Sequence, residues 1–279
     1  MTSGKVVTTI GYERRNNPAL RFTDRAAFIR FMNADQPVRP ANIANIVAIN
    51  QGVRPLTMGE PTAEALAPAD VERMRQEGVL VIDTRSSAAF GAAHIPGALN
   101  IQLTAPEFEQ RVGWITPLDV PLALVVAQDE LVARAMHALA FLGLDRRVKG
   151  FLSGGIEAWT ASGREVTRVP QITVEQLREQ LASAHAPRLL DVREPSEWNA
   201  AHIDGSVLQS VRLLPQRIAD LPFATSDSIA VICHSGARSS IASSVLRHHG
   251  FMNVANVTGG MVAWKDKGFP TVDAAGCSV

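Results

Sequence analysis

Short apolar runs alternate with helical patterns along most of the chain. In the last third of the sequence, such runs occupy residues 188–192, 228–233 and 253–257. Apolar runs of this length are typical of parallel strands that are covered on both faces. Between two of them, Ile241, Val245 and Leu246 have helical spacing, and Gly250 ends that helix. The alternation predicts an α/β fold in which helices flank a mostly parallel sheet.

One set of motifs occurs twice in the same order. An Asp-x-Arg motif and an Ala-His-Ile motif recur 108 residues apart, at Asp83 and Asp191 and at His94 and His202, and a Gly-Gly-x-x-Ala-Trp motif recurs 105 residues apart, at Trp159 and Trp264. Three matched blocks at a domain-sized offset indicate a duplicated domain of about a hundred residues. We assign residues 61–166 to a first repeat and residues 167–279 to a second. Residues 1–60 match neither and form an N-terminal extension.

Composition and charge limit the classes of function. Lys and Arg together number 27, as do Asp and Glu, so the net charge is zero and does not favour a nucleic-acid or polybasic membrane binder. No apolar run approaches the length of a membrane span, and the first ten residues lack the apolar core of a secretory leader. Two cysteines cannot form a disulfide framework. We therefore expect a soluble, cytoplasmic protein with reduced thiols.

Candidate chemistry is concentrated at Cys233. An apolar strand places this cysteine at the start of a short loop that contains Gly236, and a helix follows at once. Backbone N–H groups in such a loop point inward, and the helix N-terminus carries partial positive charge, so both favour a thiolate. Gly236 permits a positive φ angle, Ser235 and Ser239 offer hydroxyl groups, and Arg238 adds a cation for an anionic substrate.

The motifs of both repeats, from about residue 62 to residue 272, resemble the rhodanese family of sulfurtransferases. The resemblance rests on Asp-Val-Arg, Ala-His-Ile-x-Gly, Cys-x-x-Gly-x-Arg-Ser and Gly-Gly-x-x-Ala-Trp in that order. It implies two domains with mostly parallel sheets and a persulfide on Cys233 as the covalent intermediate. The donor would be thiosulfate or a low-molecular-weight persulfide, and the acceptor cyanide or a thiol. The substrate-binding residues would be those of the loop: His234, Ser235, Gly236, Ala237, Arg238 and Ser239.

Two other functions fit the same residues. Protein tyrosine phosphatases resemble this loop but place five residues between their Cys and Arg, whereas four separate Cys233 from Arg238 here. The shorter loop favours one sulfur atom over a tetrahedral phosphoryl group, and it leaves a phosphatase or arsenate reductase as the weaker hypothesis. A non-catalytic sulfur-relay or regulatory module that serves a persulfide-metabolising enzyme is the main alternative.

The first repeat lacks the nucleophile. Its corresponding loop begins at Ala127, within one residue, and contains Asp129 and Glu130 but no cysteine or glycine. Carboxylates repel an anionic sulfur species. We therefore expect this repeat to be catalytically silent.

Residues that both repeats share are expected to be architectural. Asp191 and Arg193 are interpreted as an ion pair that anchors a strand to its loop. His94 and His202 are twins, although only one repeat has a nucleophile, and Trp159 and Trp264 are interpreted as core residues.

In the N-terminal extension, the pattern of apolar and polar residues predicts one short amphipathic helix over residues 22–31. The extension resembles the C-terminal tail of a metallo-β-lactamase-fold persulfide dioxygenase, a class often fused to rhodanese domains. That family needs a His-x-His-x-Asp-His motif, which this chain lacks. We therefore expect no metal site, no cofactor and no dioxygenase activity. A persulfide-metabolising enzyme is the candidate partner.

Overall fold

Each repeat folds as a five-stranded parallel sheet flanked by helices. The computed structural model describes residues 7–34, 42–55 and 57–279. The first sheet has the order β1-β5-β4-β2-β3 and the second the equivalent order β6-β10-β9-β7-β8, with every neighbouring pair parallel. The strands are β1 Ala65–Leu66, β2 Leu80–Asp83, β3 Leu99–Asn100, β4 Leu122–Val125, β5 Val148–Leu152, β6 Gln171–Ile172, β7 Arg188–Asp191, β8 Val207–Leu208, β9 Ser228–Ile232 and β10 Asn253–Val257. The predicted duplication and the predicted α/β fold are confirmed.

Twelve α-helices lie within the described ranges. They are α1 Ile10–Asn16, α2 Arg25–Asn33, α3 Ile43–Asn50, α4 Pro68–Gln76, α5 Ser87–Ala92, α6 Phe108–Ile115, α7 Leu131–Ala140, α8 Gly155–Ala161, α9 Val174–Leu181, α10 Pro195–Ala200, α11 Ala237–His248 and α12 Gly260–Asp266. The helix predicted from Ile241, Val245 and Leu246 is α11, and all three side chains are buried. No helix in the described part of the chain is long and apolar enough to cross a membrane.

The two repeats share a continuous hydrophobic core. One cluster of buried side chains includes Leu99 and Leu124 from the first repeat and Val231 and Ile241 from the second. Polar contacts reinforce it, because α11 lies against β3. The Asn100 backbone N–H donates to the Ser244 hydroxyl at 3.0 Å, and the Ser240 hydroxyl donates to Asn100 Oδ1 at 2.6 Å. The first repeat thus supports the helix that follows the Cys233 loop.

The segment that connects the two repeats forms a backbone bridge with the first repeat before it continues into the second sheet. Thr167 forms an antiparallel bridge with His94, and Gln171 then begins β6. Val272 bridges His202 in the same way near the end of the second repeat. The equivalent bridges extend the internal repeat beyond the motifs that revealed it.

The N-terminal extension divides between two structural units. Residues 7–34 form the first, which contains α1 and α2; the second contains α3 and both repeats. The helix predicted over residues 22–31 is displaced to Arg25–Asn33, because the Asp24 carboxylate accepts the Ala27 backbone N–H and caps the helix there. Part of the predicted extension lies outside the described residues, namely residues 1–6, 35–41 and 56. The first of these ranges belongs to the segment that was predicted to lack a secretory leader.

Helix α3 packs on the first repeat. The Asn45 side-chain amide donates to the Leu142 carbonyl at 3.1 Å, and Ile49 is buried. The Thr57 hydroxyl reaches the Asp145 carboxylate at 2.5 Å. This part of the extension is therefore integrated with the repeats.

Candidate functional site

Strand β9 and helix α11 hold Cys233 at a sharp turn. The strand ends at Ile232, and α11 begins at Ala237 after Gly236, whose φ angle is +104°. That angle lies in the region that glycine adopts without the steric cost of a side chain. The Gly236 backbone N–H donates to the Cys233 sulfur, with 3.1 Å between N and Sγ. The cysteine is 1% exposed, so its sulfur sits at the bottom of the loop beneath the helix N-terminus.

Helix α12 fixes the shape of this loop from the other side. The Met261 N–H donates to the Cys233 carbonyl at 2.8 Å, and the Val262 N–H donates to the His234 carbonyl at 3.0 Å. Such an approach needs Gly260, because a Cβ there would lie 2.6 Å from the His234 carbonyl carbon and oxygen. The Gly-Gly motif therefore holds the loop carbonyls outward, a role that its sequence did not reveal.

The predicted loop residues occupy different positions. His234 and Ser235 are exposed, Ala237 is half-buried, and all three line a cavity beside the loop. Ser239 is buried, and its hydroxyl donates to the Gly236 carbonyl at 3.1 Å, so it stabilises the turn. The backbone N–H groups of residues 237–239 belong to the first turn of α11, where no intrahelical carbonyl can accept them.

Arg238 forms a bidentate ion pair with Glu197 of α10. The two nitrogen–oxygen distances are 2.6 and 2.8 Å. Burial acts to raise the pKa of the Glu197 carboxyl, but the hydrogen bonds from Arg238 outweigh it and lower that pKa to about 2. The arginine that the sequence offered to an anionic substrate is thus compensated by a carboxylate.

Both repeats line the cavity, which has a volume of about 230 Å³. The second repeat contributes loop residues together with Glu194, Val211 and Arg212, whereas the first contributes residues 106–114 through Pro106, Glu107, Arg111 and Trp114. Arg212 pairs with Glu194 at 3.2 Å and lies over the Trp114 ring at 4.4 Å. The cavity is therefore a composite of the two repeats.

Comparison with known proteins identifies the family. The model of the rhodanese-like domain matches residues 67–162 and again residues 173–267, which is more than half of the chain. The chain belongs to the rhodanese-like domain family. Its two copies coincide with the two sheets, so it is a tandem of rhodanese-like domains.

Three curated proteins that are similar to this chain have names that refer to sulfur carriage or sulfur transfer. The chain is 35% identical over 106 residues to the "putative sulfur carrier protein YrkF" of Bacillus subtilis, and this match covers 38% of the chain and 56% of that protein. It is 32% identical over 108 residues to a "sulfurtransferase" of Allochromatium vinosum, covering 39% of the chain and 99% of that protein. It is 34% identical over 118 residues to "thiosulfate sulfurtransferase 16, chloroplastic" of Arabidopsis thaliana, covering 38% and 97%. The family match starts at residue 67, so the resemblance of residues 1–60 to a dioxygenase tail stays a prediction.

The motifs that the rhodanese-like copies share are architectural, as the sequence predicted. Both side chains of Asp191 and Arg193 are buried, and they pair at 2.7 Å while the guanidinium also reaches the Ala201 carbonyl at 2.8 Å. His202 stacks on Trp198 at 3.4 Å between ring centroids. Trp264 is 2% exposed, and its indole N–H donates to the Pro270 carbonyl at 3.0 Å.

The first rhodanese-like copy has no thiol at the loop position. Asp83 pairs with Val125 and Asp191 with Ile232, so Val126 is the counterpart of Cys233, one residue before the predicted Ala127 and within its margin. The Asp129 carboxylate turns onto the helix that follows β5 and accepts the Gly154 N–H at 3.2 Å. This loop therefore presents an aliphatic side chain and a carboxylate. Within the described residues, no group of three or more His, Cys, Asp or Glu could hold a metal ion.

The cavity wall that the first copy contributes was not predicted from the sequence. One signal was available, since Phe108, Arg111 and Ile115 share a helical face on which Arg111 is the only charge. A charged residue on an apolar stripe marks a buried polar site, but nothing in the sequence connects that stripe to Cys233. Glu197 could not be connected with the loop either, because it lies 41 positions before Arg238 in the chain.

Proposed function

We propose that this protein is a sulfurtransferase that moves sulfane sulfur from thiosulfate, or from a low-molecular-weight persulfide, to a thiophilic acceptor through a persulfide on Cys233. The observation that carries the proposal is the Gly236 N–H, 3.1 Å from a buried sulfur at the N-terminus of a 12-residue helix. A backbone donor and a helix dipole stabilise negative charge on sulfur. The same features suit a thiolate and a persulfide anion.

The first half-reaction loads the cysteine. The Cys233 thiolate attacks the outer sulfur of thiosulfate, a bond forms between the two sulfurs, and the sulfur–sulfur bond of the donor breaks. The bonding pair leaves with sulfite, and Cys233 retains the terminal sulfur as an anion. The Gly236 N–H donates to the Cys233 sulfur, and backbone donors at this turn would stabilise the charge that develops there, as in an oxyanion hole.

The second half-reaction regenerates the thiolate. An acceptor such as cyanide attacks the terminal sulfur, and the sulfur–sulfur bond to Cys233 breaks. The electron pair of that bond stays on the cysteine sulfur, and thiocyanate leaves. Donor and acceptor bind in turn, so ping-pong kinetics are expected. In the cell a thiol would replace cyanide, and a persulfide-metabolising enzyme would be a suitable partner. Reduced cysteines fit a cytoplasmic location.

Pairing of Arg238 also separates this proposal from phosphatase chemistry. A phosphoryl group needs cationic donors that face it, whereas the Arg238 guanidinium is held by Glu197 at 2.6 and 2.8 Å. The loop has four residues between Cys233 and this arginine, which favours a single sulfur atom. We therefore expect no hydrolysis of an aryl phosphate.

The test combines intact-mass analysis with turnover. Thiosulfate should add the mass of one sulfur atom to the wild-type protein and to the Cys277→Ser variant, whose altered thiol is exposed, but not to Cys233→Ser. Cyanide should then remove the sulfur as thiocyanate. Full activity in Cys233→Ser would refute the proposal. Stable loading with negligible release to cyanide and small thiols would favour the sulfur-relay alternative.

A further inference from the structure

The catalytically silent copy places an arginine at the active loop of the other copy. Helix α6 of the first copy buries the face that carries Phe108, Arg111, Val112 and Ile115. Arg111 extends from this face to the wall of the cavity beside the Cys233 loop. It lies close enough to Cys233 for the charges of the two groups to interact.

Other cations of this cavity have partners. Glu197 pairs with Arg238 at 2.6 Å, and Glu194 pairs with Arg212 at 3.2 Å. Arg212 also lies over the Trp114 ring, which stabilises its charge further. The charge of each of these two guanidinium groups is therefore already balanced by a carboxylate.

Arg111 differs from both. It is only 8% exposed, and its Nε and Nη1 atoms are buried without a hydrogen-bond partner within the described residues. It forms no ion pair with a carboxylate of the described chain at 4.0 Å or less. Burial lowers the pKa of the Arg111 guanidinium, while the Glu107 carboxylate one turn earlier acts in the opposite direction. A buried, unpaired cation is costly, because it loses hydration without gaining a partner.

The backbone before Arg111 shows a second unusual feature. Glu107, the residue that precedes α6, has a φ angle of +61° and is the only non-glycine residue with positive φ in the described ranges. Such a conformation is unfavourable for a residue with a side chain and persists where the surroundings impose it. Glu107 directly precedes α6, and it lines the same cavity as Arg111 one turn later.

We propose that Arg111 is a substrate-binding residue for the sulfur chemistry of the second copy, and that the silent copy is retained as one wall of a composite active site. The inference rests on the proposed function. Its guanidinium would bind the anionic group of the donor while Cys233 attacks the sulfane sulfur. In the loading step this group leaves with the electron pair, so Arg111 stabilises the sulfite as it forms.

The position of Arg111 also indicates a class of donor. The cavity is small, about 230 Å³, and among the described residues that line it Arg111 is the arginine without an ion-pair partner. Such a cavity suits a donor in which an oxyanion adjoins the sulfane sulfur, such as thiosulfate or a thiosulfonate. A donor without an adjoining oxyanion gains less from Arg111. We expect inorganic hydrogen persulfide, which has no oxyanion, to load Cys233 with little dependence on this residue.

The test is an Arg111→Met variant of the full chain. We expect the KM for thiosulfate to rise about 10- to 100-fold, the effect of losing a hydrogen bond to a charged group. Release of the bound sulfur to dithiothreitol, a neutral thiol, should be unchanged. The melting temperature should stay equal or rise, since an apolar side chain replaces an unpaired buried charge. Arg111→Lys should restore part of the affinity.

Arg134→Gln is the matched control. It removes one positive charge from an exposed site on α7 of the same copy, and Arg134 does not line this cavity. Its KM for thiosulfate should equal that of the wild type. An unchanged KM in Arg111→Met, or a lower melting temperature with an equal loss of loading from both donors, would overturn the proposal. Failure of the wild type to load sulfur at all would instead refute the proposed function.

Discussion

The close contact at Gly260 gives the sharpest test of how the Cys233 loop is held. In a Gly260→Ala variant, the added methyl would lie 2.6 Å from the carbonyl carbon and oxygen of His234 and closer still to the Cys233 carbonyl. These atoms belong to backbone and cannot rotate away. The loop and α12 must therefore move apart, which breaks the two hydrogen bonds from Met261 and Val262.

The magnitude follows from three separate costs. An alanine in the left-handed region costs about 1–2 kcal/mol relative to glycine, and Gly260 has a φ angle of +58°. Forcing an extra methyl into a packed backbone contact costs about 1–3 kcal/mol. Lost hydrogen bonds add about 1 kcal/mol each. We expect the unfolding free energy to fall by about 4–7 kcal/mol, together with loss of most sulfur loading.

The first copy, which has no cysteine in its loop, supplies the matched control. Gly155 has nearly the same φ angle, +59°, but a Cβ there would lie 3.2 Å from both the Val126 carbonyl and the Glu157 carboxylate. Small movements relieve that contact, so Gly155→Ala should cost about 1–2 kcal/mol and leave loading intact. Urea unfolding and intact-mass analysis after thiosulfate measure both quantities. Equal stability and equal loading in the two variants would refute the reasoning.

Three further variants test the charges and the histidine of the fold. Glu197→Gln should lower the unfolding free energy by about 1–2 kcal/mol near neutral pH, because Arg238 loses its carboxylate partner. In the wild type this contribution is present above the ordinary Glu pKa of 4.5 and is lost as pH falls toward the folded value of about 2, so urea titrations of the variant should show a flatter acid limb. Burial lowers the pKa of His94 from 6.5 to about 4. As the pH falls through this range, the unfolded chain takes up a proton that the folded chain does not, so up to about 3 kcal/mol of unfolding free energy is lost. His94→Gln cannot titrate and should remove this loss, whereas an identical pH dependence in the variant would contradict the assignment. Asp191→Ala leaves the buried Arg193 unpaired and should cost about 3–5 kcal/mol by the same titration; a change below about 1 kcal/mol would show that the pair contributes little.

The sequence by itself determined the duplication, the sheet class and the thiol at the centre of the site. These features are local: a buried parallel strand is a short apolar run, and the Cys233 loop is a contiguous segment between β9 and α11. The ion pair of Asp191 with Arg193 was also accessible, because the two residues are two positions apart and recur in both copies. Periodicity and spacing are sufficient where the interacting groups are neighbours in the chain.

Only the tertiary structure decided which charges near the Cys233 loop have an ion-pair partner. Arg238 was the expected free cation, yet folding brings Glu197 from α10 to within 2.6 Å of it. Arg111 lies 122 positions before Cys233, and it meets the loop because α11 packs against β3 of the first copy. Electrostatic compensation depends on distance in space and on burial, neither of which is encoded in the local pattern of apolar and polar residues.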